Sequence, residues 1–339
     1  MPKIISLFNH KGGVSKTTTT FNLGWALANL GHRTLIVDAD PQCNLTGLVL
    51  DFNKVDDFEA FYAQNPLCDI HGAVRPVIDG QQQPLQPANP IPTGNANLHL
   101  LGGNLELAHS ETQISVALTT GDAIPALKNI PGSFGELLKM TAATHGFEYV
   151  LVDMSPAVGA LNQCLLMSSD FFIVPTFPDF FCEQAVRSLG SVIPRWNTAV
   201  QGFRDNSIAY PIPNEPPKFL GIISQKFRPR SGAPAKSFQK WIDRIKQTVD
   251  QVLIPSLSPL NMSITNDQFA ACVNEDTPFN LANISDFNSL IAQSQKHNVP
   301  VFELTDGRLG QKQGHPQLAL SFWRSQTFFC ELSALRYRL

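Results

Sequence analysis

Short apolar runs recur along the chain, each followed by a longer stretch with helical spacing. The runs are Lys3–Asn9, Thr34–Asp38, Leu98–Leu101, Tyr149–Asp153, Phe171–Pro175 and Phe219–Ser224. Within them apolar residues are consecutive rather than alternating, as in Tyr149-Val150-Leu151-Val152. That pattern predicts strands buried on both faces. After the first run, Phe21, Trp25 and Ala28 share one helical face, with Leu23, Leu27 and Leu30 beside it, and Gly31 supplies a terminator. Buried strands alternating with helices predict an α/β fold: a doubly wound, mostly parallel sheet flanked by helices, with ligands at the carboxyl ends of the strands. A stretch rich in Gln, Pro and Asn at about 80–97 reads as an exposed loop. Another irregular stretch, at about 201–217, holds several prolines and separates two halves of one sheet. The sheet pattern resumes after each and no internal repeat is seen, so residues 1–339 are expected to form a single domain.

Composition adds constraints. The chain is 43% hydrophobic and 16% charged, ample for a buried core. A net charge of −3 gives no global attraction to nucleic acid or anionic membrane, so such binding would need a local patch. Six cysteines (Cys43, Cys68, Cys164, Cys182, Cys272, Cys330) are scattered without C-x-x-C or metal-like spacing, which favours reduced thiols. The N-terminus enters a strand without a basic leader, and no apolar run approaches the roughly 18 residues of a membrane span. A cytoplasmic, soluble protein is expected.

Candidate chemistry concentrates just after the first run, in Lys11-Gly12-Gly13-Val14-Ser15-Lys16-Thr17-Thr18. Strand, glycine-rich loop and helix together form the context of a phosphate-binding loop. Adjacent glycines let backbone N–H groups approach phosphate oxygens, and the helix N-terminus adds unpaired donors. Lys16 would neutralise the β/γ-phosphates and the Thr17 hydroxyl would hold Mg²⁺. The loop departs from G-x-x-x-x-G-K-[ST]: His10 and Ser15 stand where glycines are usual, and a second lysine, Lys11, precedes the glycine pair. Two further carboxylate-bearing segments follow. Asp38-Ala39-Asp40-Pro41-Gln42 ends the second run, and Tyr149-Val150-Leu151-Val152-Asp153 has the form of a Walker B strand whose acid serves Mg²⁺.

The string KGGVSKTT resembles the deviant phosphate loop of the ParA/MinD family of dimeric ATPases, and the family's V-D-x-D-P-Q segment matches 37–42. This resemblance implies ATP and Mg²⁺ as cofactors, bound by residues 11–18. It makes Lys11, Lys16 and Asp40 the catalytic residues, with Lys11 reaching the partner subunit's nucleotide and Asp40 positioning the water. Thr17, Asp38 and Asp153 would serve the metal. Ser15, where most members have glycine, would crowd the loop and tune turnover. Met154-Ser155-Pro156 departs modestly from the family's D-x-P-P. Outside the three boxes, Asn97–Gly103, Asp170–Thr176, Gln293–Leu304 and Phe328–Leu339 resemble later family segments with lower specificity. Gln225 and Asp286 are candidates for adenine contact, against an ordinary surface role.

The resemblance further implies an ATP-dependent homodimer that binds DNA without sequence preference, associates with the nucleoid when ATP-bound, and works with an adaptor that stimulates ATPase in plasmid or chromosome partition. A local surplus of cations fits: Lys226, Arg228, Arg230, Lys236, Lys240, Arg244 and Lys246 against one acid, Asp243, with Phe227, Phe238 and Trp241 interleaved. The alternative is a solvated helix face with aromatics in the core. Phe328, Leu332, Leu335 and Leu339, with Arg336 and Arg338, have helical spacing, and a helix packed on the sheet is favoured over a MinD-like membrane helix because cations are few. Other rivals are a protein cargo or defence complex, and a nitrogenase-like reductase. The last needs a cluster-ligating cysteine just past Asp153, and 153–163 has none.

Overall fold

The computed structural model describes residues 1–51, 55–81, 83–121, 124, 127–230, 233–271 and 278–305. The chain opens with β1 (Lys3–Leu7), α1 (Lys16–Asn29) and β2 (Thr34–Ala39). Three helices follow, α2 (Asn44–Leu50), α3 (Val55–Gln64) and α4 (Ile70–Ile78), then strands β3 (Ile91–Pro92) and β4 (Leu98–Leu101). Next come α5 (Leu107–Thr120), α6 (Ile130–His145), β5 (Tyr149–Met154), α7 (Ala160–Met167) and β6 (Phe171–Thr176). The long α8 (Phe180–Ala199) leads to β7 (Lys218–Phe227) and the small hairpin β8 (Pro229–Arg230) and β9 (Ala233–Pro234). The described part closes with α9 (Lys236–Thr248), α10 (Ile254–Leu257), α11 (Asn266–Ala270), β10 (Asn280–Ser285) and α12 (Ser289–His297).

Eight strands form one sheet in the order β10-β7-β6-β1-β5-β2-β4-β3, parallel except for β3 on β4. β1, β2, β5 and β6 are buried along almost their whole length because helices cover both faces, which is why their sequences carry no alternation. The order matters for chemistry. β1 lies between β5 and β6, and β2 is the next strand beyond β5. The carboxyl ends of these four strands therefore bring residues 8–18, 38–40, 153–158 and 176–180 to one edge.

The six runs read from sequence are strands of this sheet; β3 and β10 are additional to it, and β8 and β9 form a separate hairpin. β10 escaped notice because Asn280 and Asn283 interrupt its apolar residues, although Asn280 is fully buried. The 80–97 stretch also differs from the expected exposed loop. Leu85 and Ala88 are buried, Leu85 N–H donates to Tyr210 Oη at 2.8 Å, and Ala88 N–H donates to Thr141 Oγ1 at 2.9 Å. With Ile91 of β3 also buried, three apolar residues among glutamines and prolines pin it. In 201–217, irregular as expected apart from a turn of 3₁₀ helix at 201–203, Phe203 and Ile212 are likewise buried.

α1 lies unusually close to the sheet at Gly24. A Cβ there would stand 2.5 Å from Ile36 Cγ2 and 3.1 Å from Leu98 Cδ1. Since α1 begins at the phosphate loop, this contact fixes the loop's height above the sheet. Gly24→Val should overpack the contact and cost about 1–3 kcal/mol of stability in urea unfolding. An unchanged midpoint would show that α1 does not dock at this distance.

Candidate nucleotide site

Asn9 organises the loop. Fully buried, it donates from Nδ2 to Pro175 O at 2.9 Å and accepts from the Lys11 N–H on Oδ1 at 3.0 Å. Its backbone oxygen accepts from Lys16 Nζ at 3.0 Å. One side chain thus ties the loop to β6 while its carbonyl receives the loop's buried lysine. Sequence reading passed over it as the last residue of the first run.

Gly13 takes φ 75° and Ser15 takes φ 60°, ψ 33°, both left-handed. Serine in that region costs about 1–2 kcal/mol, which glycine avoids. That penalty comes from the Cβ itself, which in the left-handed region lies close to the following carbonyl oxygen. Gly12 has open surroundings, with Pro156 Cβ the nearest atom to a Cβ built there, at 3.9 Å. α1 starts without a side-chain cap, so N–H groups at Lys16, Thr17 and Thr18 lack intrahelical acceptors and suit an anion. Val14 is buried and anchors the loop's middle.

Beneath the loop, Lys16 is 7% exposed. Burial lowers its pKa, while Asp153 and Asp40 raise it. Asp153 sits opposite Asp38 across the β5–β2 pairing and is itself buried. Burial, then the charge of Asp38, pushes the Asp153 pKa well up, offset in part by Thr17 and Lys16. Neither Asp153 carboxylate oxygen has a hydrogen-bond partner. Two unpartnered carboxylate oxygens near a threonine hydroxyl fit the oxygen donor set of Mg²⁺.

Asp38 has other attachments. One oxygen accepts from Thr46 N–H at 2.8 Å and Thr46 Oγ1 at 2.7 Å; the other accepts from Asp40 N–H at 3.2 Å. Burial raises its pKa to about 6 despite those bonds. Thr46 Oγ1 in turn accepts from Gly103 N–H at 2.8 Å, so Asp38 joins the start of α2 to the exit of β4. Both Asp38 oxygens are thus occupied by hydrogen bonds within the chain. Asp40, 7% exposed, accepts from Gln42 N–H at 2.9 Å, which orders the segment after β2.

Lys11 lies at the rim. Its Nζ is 2.8 Å from Asp179 Oδ2 and 5.2 Å from the centre of the Phe177 ring. Lys226, assigned by sequence to the basic patch, instead adopts φ 57° and donates from Nζ to Gly13 O at 3.2 Å. Gln225 is buried and donates to Thr19 Oγ1 at 2.7 Å, so its amide nitrogen braces α1. The Asp286 carboxylate accepts from Asn288 N–H at 3.0 Å, turning the chain after β10. Past Asp153, Asn162 Nδ2 donates to Ser155 O and Ala157 O, and Glu111 accepts from the Ala160 and Leu161 amides, bracing the start of α7. Asn9, Asp179 and Thr46 belong to this site and carried no sequence motif; Asp179 alone had a local signal, an acid directly before a helical stretch.

In the basic patch, Arg228, Lys236, Lys240 and Arg244 are exposed, and α9 turns Ile242 and Ile245 into the core. Arg244 pairs with Glu183 at 2.9 Å and lies over Trp241. Phe227 is buried, and Phe238 and Trp241 pack edge-on against Phe177 and Phe180. Arg230 lies in β8, and Lys246 in the last turn of α9. Cys43, Cys68, Cys164 and Cys182 are buried free thiols, whereas Cys272, Cys330, Phe328–Leu339, Arg336 and Arg338 fall outside the described residues. Among the described residues no helix is long and apolar enough to cross a membrane, and no group of three or more His, Cys, Asp or Glu could hold a metal.

A strand–loop–helix phosphate cradle, an acid on the neighbouring strand and a parallel sheet define a P-loop nucleoside-triphosphate hydrolase. Residues 2–202 match a family described as an AAA domain, and the chain belongs to the ParA/MinD family of ATPases. It is 26% identical over 261 residues to an uncharacterised protein of Methanocaldococcus jannaschii, covering 77% of this chain and 86% of that one. It is 29% identical over 194 residues to the chromosome partitioning protein ParA of Caulobacter vibrioides, covering 57% of this chain and 62% of ParA. With the sporulation initiation inhibitor Soj of Bacillus subtilis it shares 31% over 190 residues, 56% of this chain and 64% of Soj. Both latter matches span less than two thirds of the relative. Among solved structures, apo McdA from Cyanothece superposes with TM-score 0.60 at 16% identity, covering 99% of this chain and 100% of McdA. MinD from Pyrococcus furiosus gives TM-score 0.55 at 17% identity, covering 98% of this chain and 100% of MinD. These two likenesses concern the fold.

Ser15→Gly should remove the left-handed penalty. Glycine's extra freedom in the unfolded chain offsets part of the gain, leaving a net stabilisation of about 1 kcal/mol or less. Differential scanning calorimetry of the nucleotide-free protein should show a raised midpoint. A lowered midpoint would contradict the left-handed assignment.

Proposed function

We propose that this chain is a ParA-like ATPase that dimerises on ATP, binds DNA non-specifically as a dimer and releases it on hydrolysis. Its output is the positioning of a plasmid or chromosome, with an adaptor protein that stimulates turnover. It works in the cytoplasm, on the nucleoid when ATP-bound. The observation that carries this reading is the second lysine, Lys11, at the rim of an otherwise complete phosphate loop. A single-subunit hydrolase needs one lysine in the cradle, and Lys16 occupies that place. The relatives named as chromosome-partitioning proteins support the output.

In this reading, backbone N–H groups of Gly12, Gly13, Val14, Ser15, Lys16, Thr17 and Thr18 receive the phosphates of ATP, and Lys16 turns from Asn9 O toward them. Thr17 and Asp153 hold Mg²⁺, which offsets phosphate charge when bound. Asp40, at the end of β2 beside Lys16, orients the attacking water, and Asp38 holds Asp40's backbone through its N–H. Lys11 adds its charge to the nucleotide of the facing subunit.

Lys16→Ala should abolish ATP binding, since Lys16 is the lysine buried beneath the loop; unchanged affinity in calorimetry would remove the phosphate-loop assignment. Lys11→Ala should bind some ATP yet lose dimer formation and hydrolysis. Asp40→Ala should bind ATP and accumulate as a dimer that does not turn over. Light scattering with ATP separates these outcomes. A wild type that stays monomeric, or an Asp40 variant that hydrolyses normally, would refute the two-subunit site.

For DNA, the exposed Arg228, Lys236 and Lys240 are the strongest candidates, because Lys226 and Arg244 already serve Gly13 and Glu183. Arg230 and Lys246 complete the set read from sequence. About three cations per subunit would neutralise about six phosphates in the dimer, giving a slope of log K against log salt of about −5. Reversing Arg228 and Lys240 to Glu should weaken binding to all sequences alike and flatten that slope, with basal ATPase retained. Tight binding by the doubly reversed protein would move the DNA surface elsewhere.

A further inference from the structure

We propose that Asp179 is a positioning residue that holds Lys11 within its own subunit, and that release of this hold is part of the cost of bringing two subunits together. The proposal rests on the ATP-dependent dimer described above. Its ligand is the polyphosphate bound by a second copy of this chain, which competes with Asp179 for the same ammonium group.

Lys11 is restrained at both ends. Its backbone N–H is fixed by Asn9 Oδ1 at 3.0 Å, and its Nζ by Asp179 Oδ2 at 2.8 Å. Phe177, two residues before Asp179, presents its ring 5.2 Å from the ammonium. A cation held by a carboxylate and an aromatic face is not free to extend. The two side chains of the pair are 22% and 29% exposed, so solvent screens the attraction only partly.

Asp179 divides its work. Oδ1 accepts from Cys182 N–H at 2.7 Å and caps α8, while Oδ2 takes Lys11. Capping needs only one oxygen, and asparagine performs it as well as aspartate. The second oxygen and the negative charge are therefore surplus to the helix. The first residues of α8, Phe180 and Phe181, are 48% and 69% exposed, so the hold on Lys11 sits beside the largest exposed aromatic pair among the described residues. Lys11 thus reaches its cis partner at a surface where another molecule could approach.

This division supplies the test. Asp179→Asn keeps the cap and removes the charge, so its thermal midpoint should stay near wild type. If each freed Lys11 gains about threefold, a value typical of a partly exposed pair, the two subunits together gain about tenfold in the ATP-dependent dimer constant. Sedimentation at graded protein concentration with ATP reads this directly. In a Lys11→Ala background, adding Asp179→Asn should leave the protein monomeric with ATP, because the lysine it would free is absent. Asp179→Glu, which restores the charge, should return the dimer constant toward wild type. Weaker or unchanged dimerisation by Asp179→Asn would overturn the proposal, as would dimer formation restored in the Lys11→Ala background. A wild type that does not dimerise with ATP would instead defeat the underlying functional reading.

Discussion

The structure depends on the burial of one lysine among carboxylates. Lys16, Asp38, Asp40 and Asp153 all lie below 10% exposure at the carboxyl edge of adjacent strands. Burial, with the charge of neighbouring carboxylates added, pushes the pKa values of Asp38 and Asp153 upward. Lys16 offsets part of this charge, and its own ammonium is satisfied by the Asn9 carbonyl. Much of the surrounding architecture serves this arrangement. Thr46 satisfies Asp38, Gly24 lets α1 approach the sheet, and Asn9 joins the loop to β6. The same set of groups, costly to bury, is suited to a phosphate chain carrying a divalent cation.

Strand order explains how residues far apart in sequence share this edge. β1 delivers the loop between β5, which carries Asp153, and β6, which leads to Asp179. β2 brings Asp38 and Asp40 from the other side of β5. Parallel strands all present their carboxyl ends to one side, so loop residues converge without any long excursion.

Most of the central sheet was legible because strands buried on both faces must be apolar throughout. The phosphate loop was legible because its backbone geometry demands glycines at close spacing. What escaped were residues whose role is a hydrogen bond. Asn9, Thr46 and Asp179 are common polar residues, and nothing in their immediate sequence says which distant carbonyl, amide or ammonium they will meet. Lys226 shows the converse. Its neighbours in sequence are cations of a charged surface, but at its own left-handed position its ammonium meets the loop at Gly13 O. Leu85, Ala88 and Ile91 were hidden by their surroundings, since three buried residues spaced among prolines and glutamines leave no strand or helix periodicity.

The bond from Lys226 to Gly13 has a mechanical meaning. Gly13 belongs to the phosphate loop, while Lys226 stands at the end of β7, directly before the hairpin and α9. A tether between them makes the loop's displacement a load on the exit of β7. Motion at the loop would then be felt some ten residues away, at the first turn of α9, without any contact between that helix and the ligand. A single long side chain makes such a tether a slack one, its reach rather than its stiffness limiting how far the two ends can part.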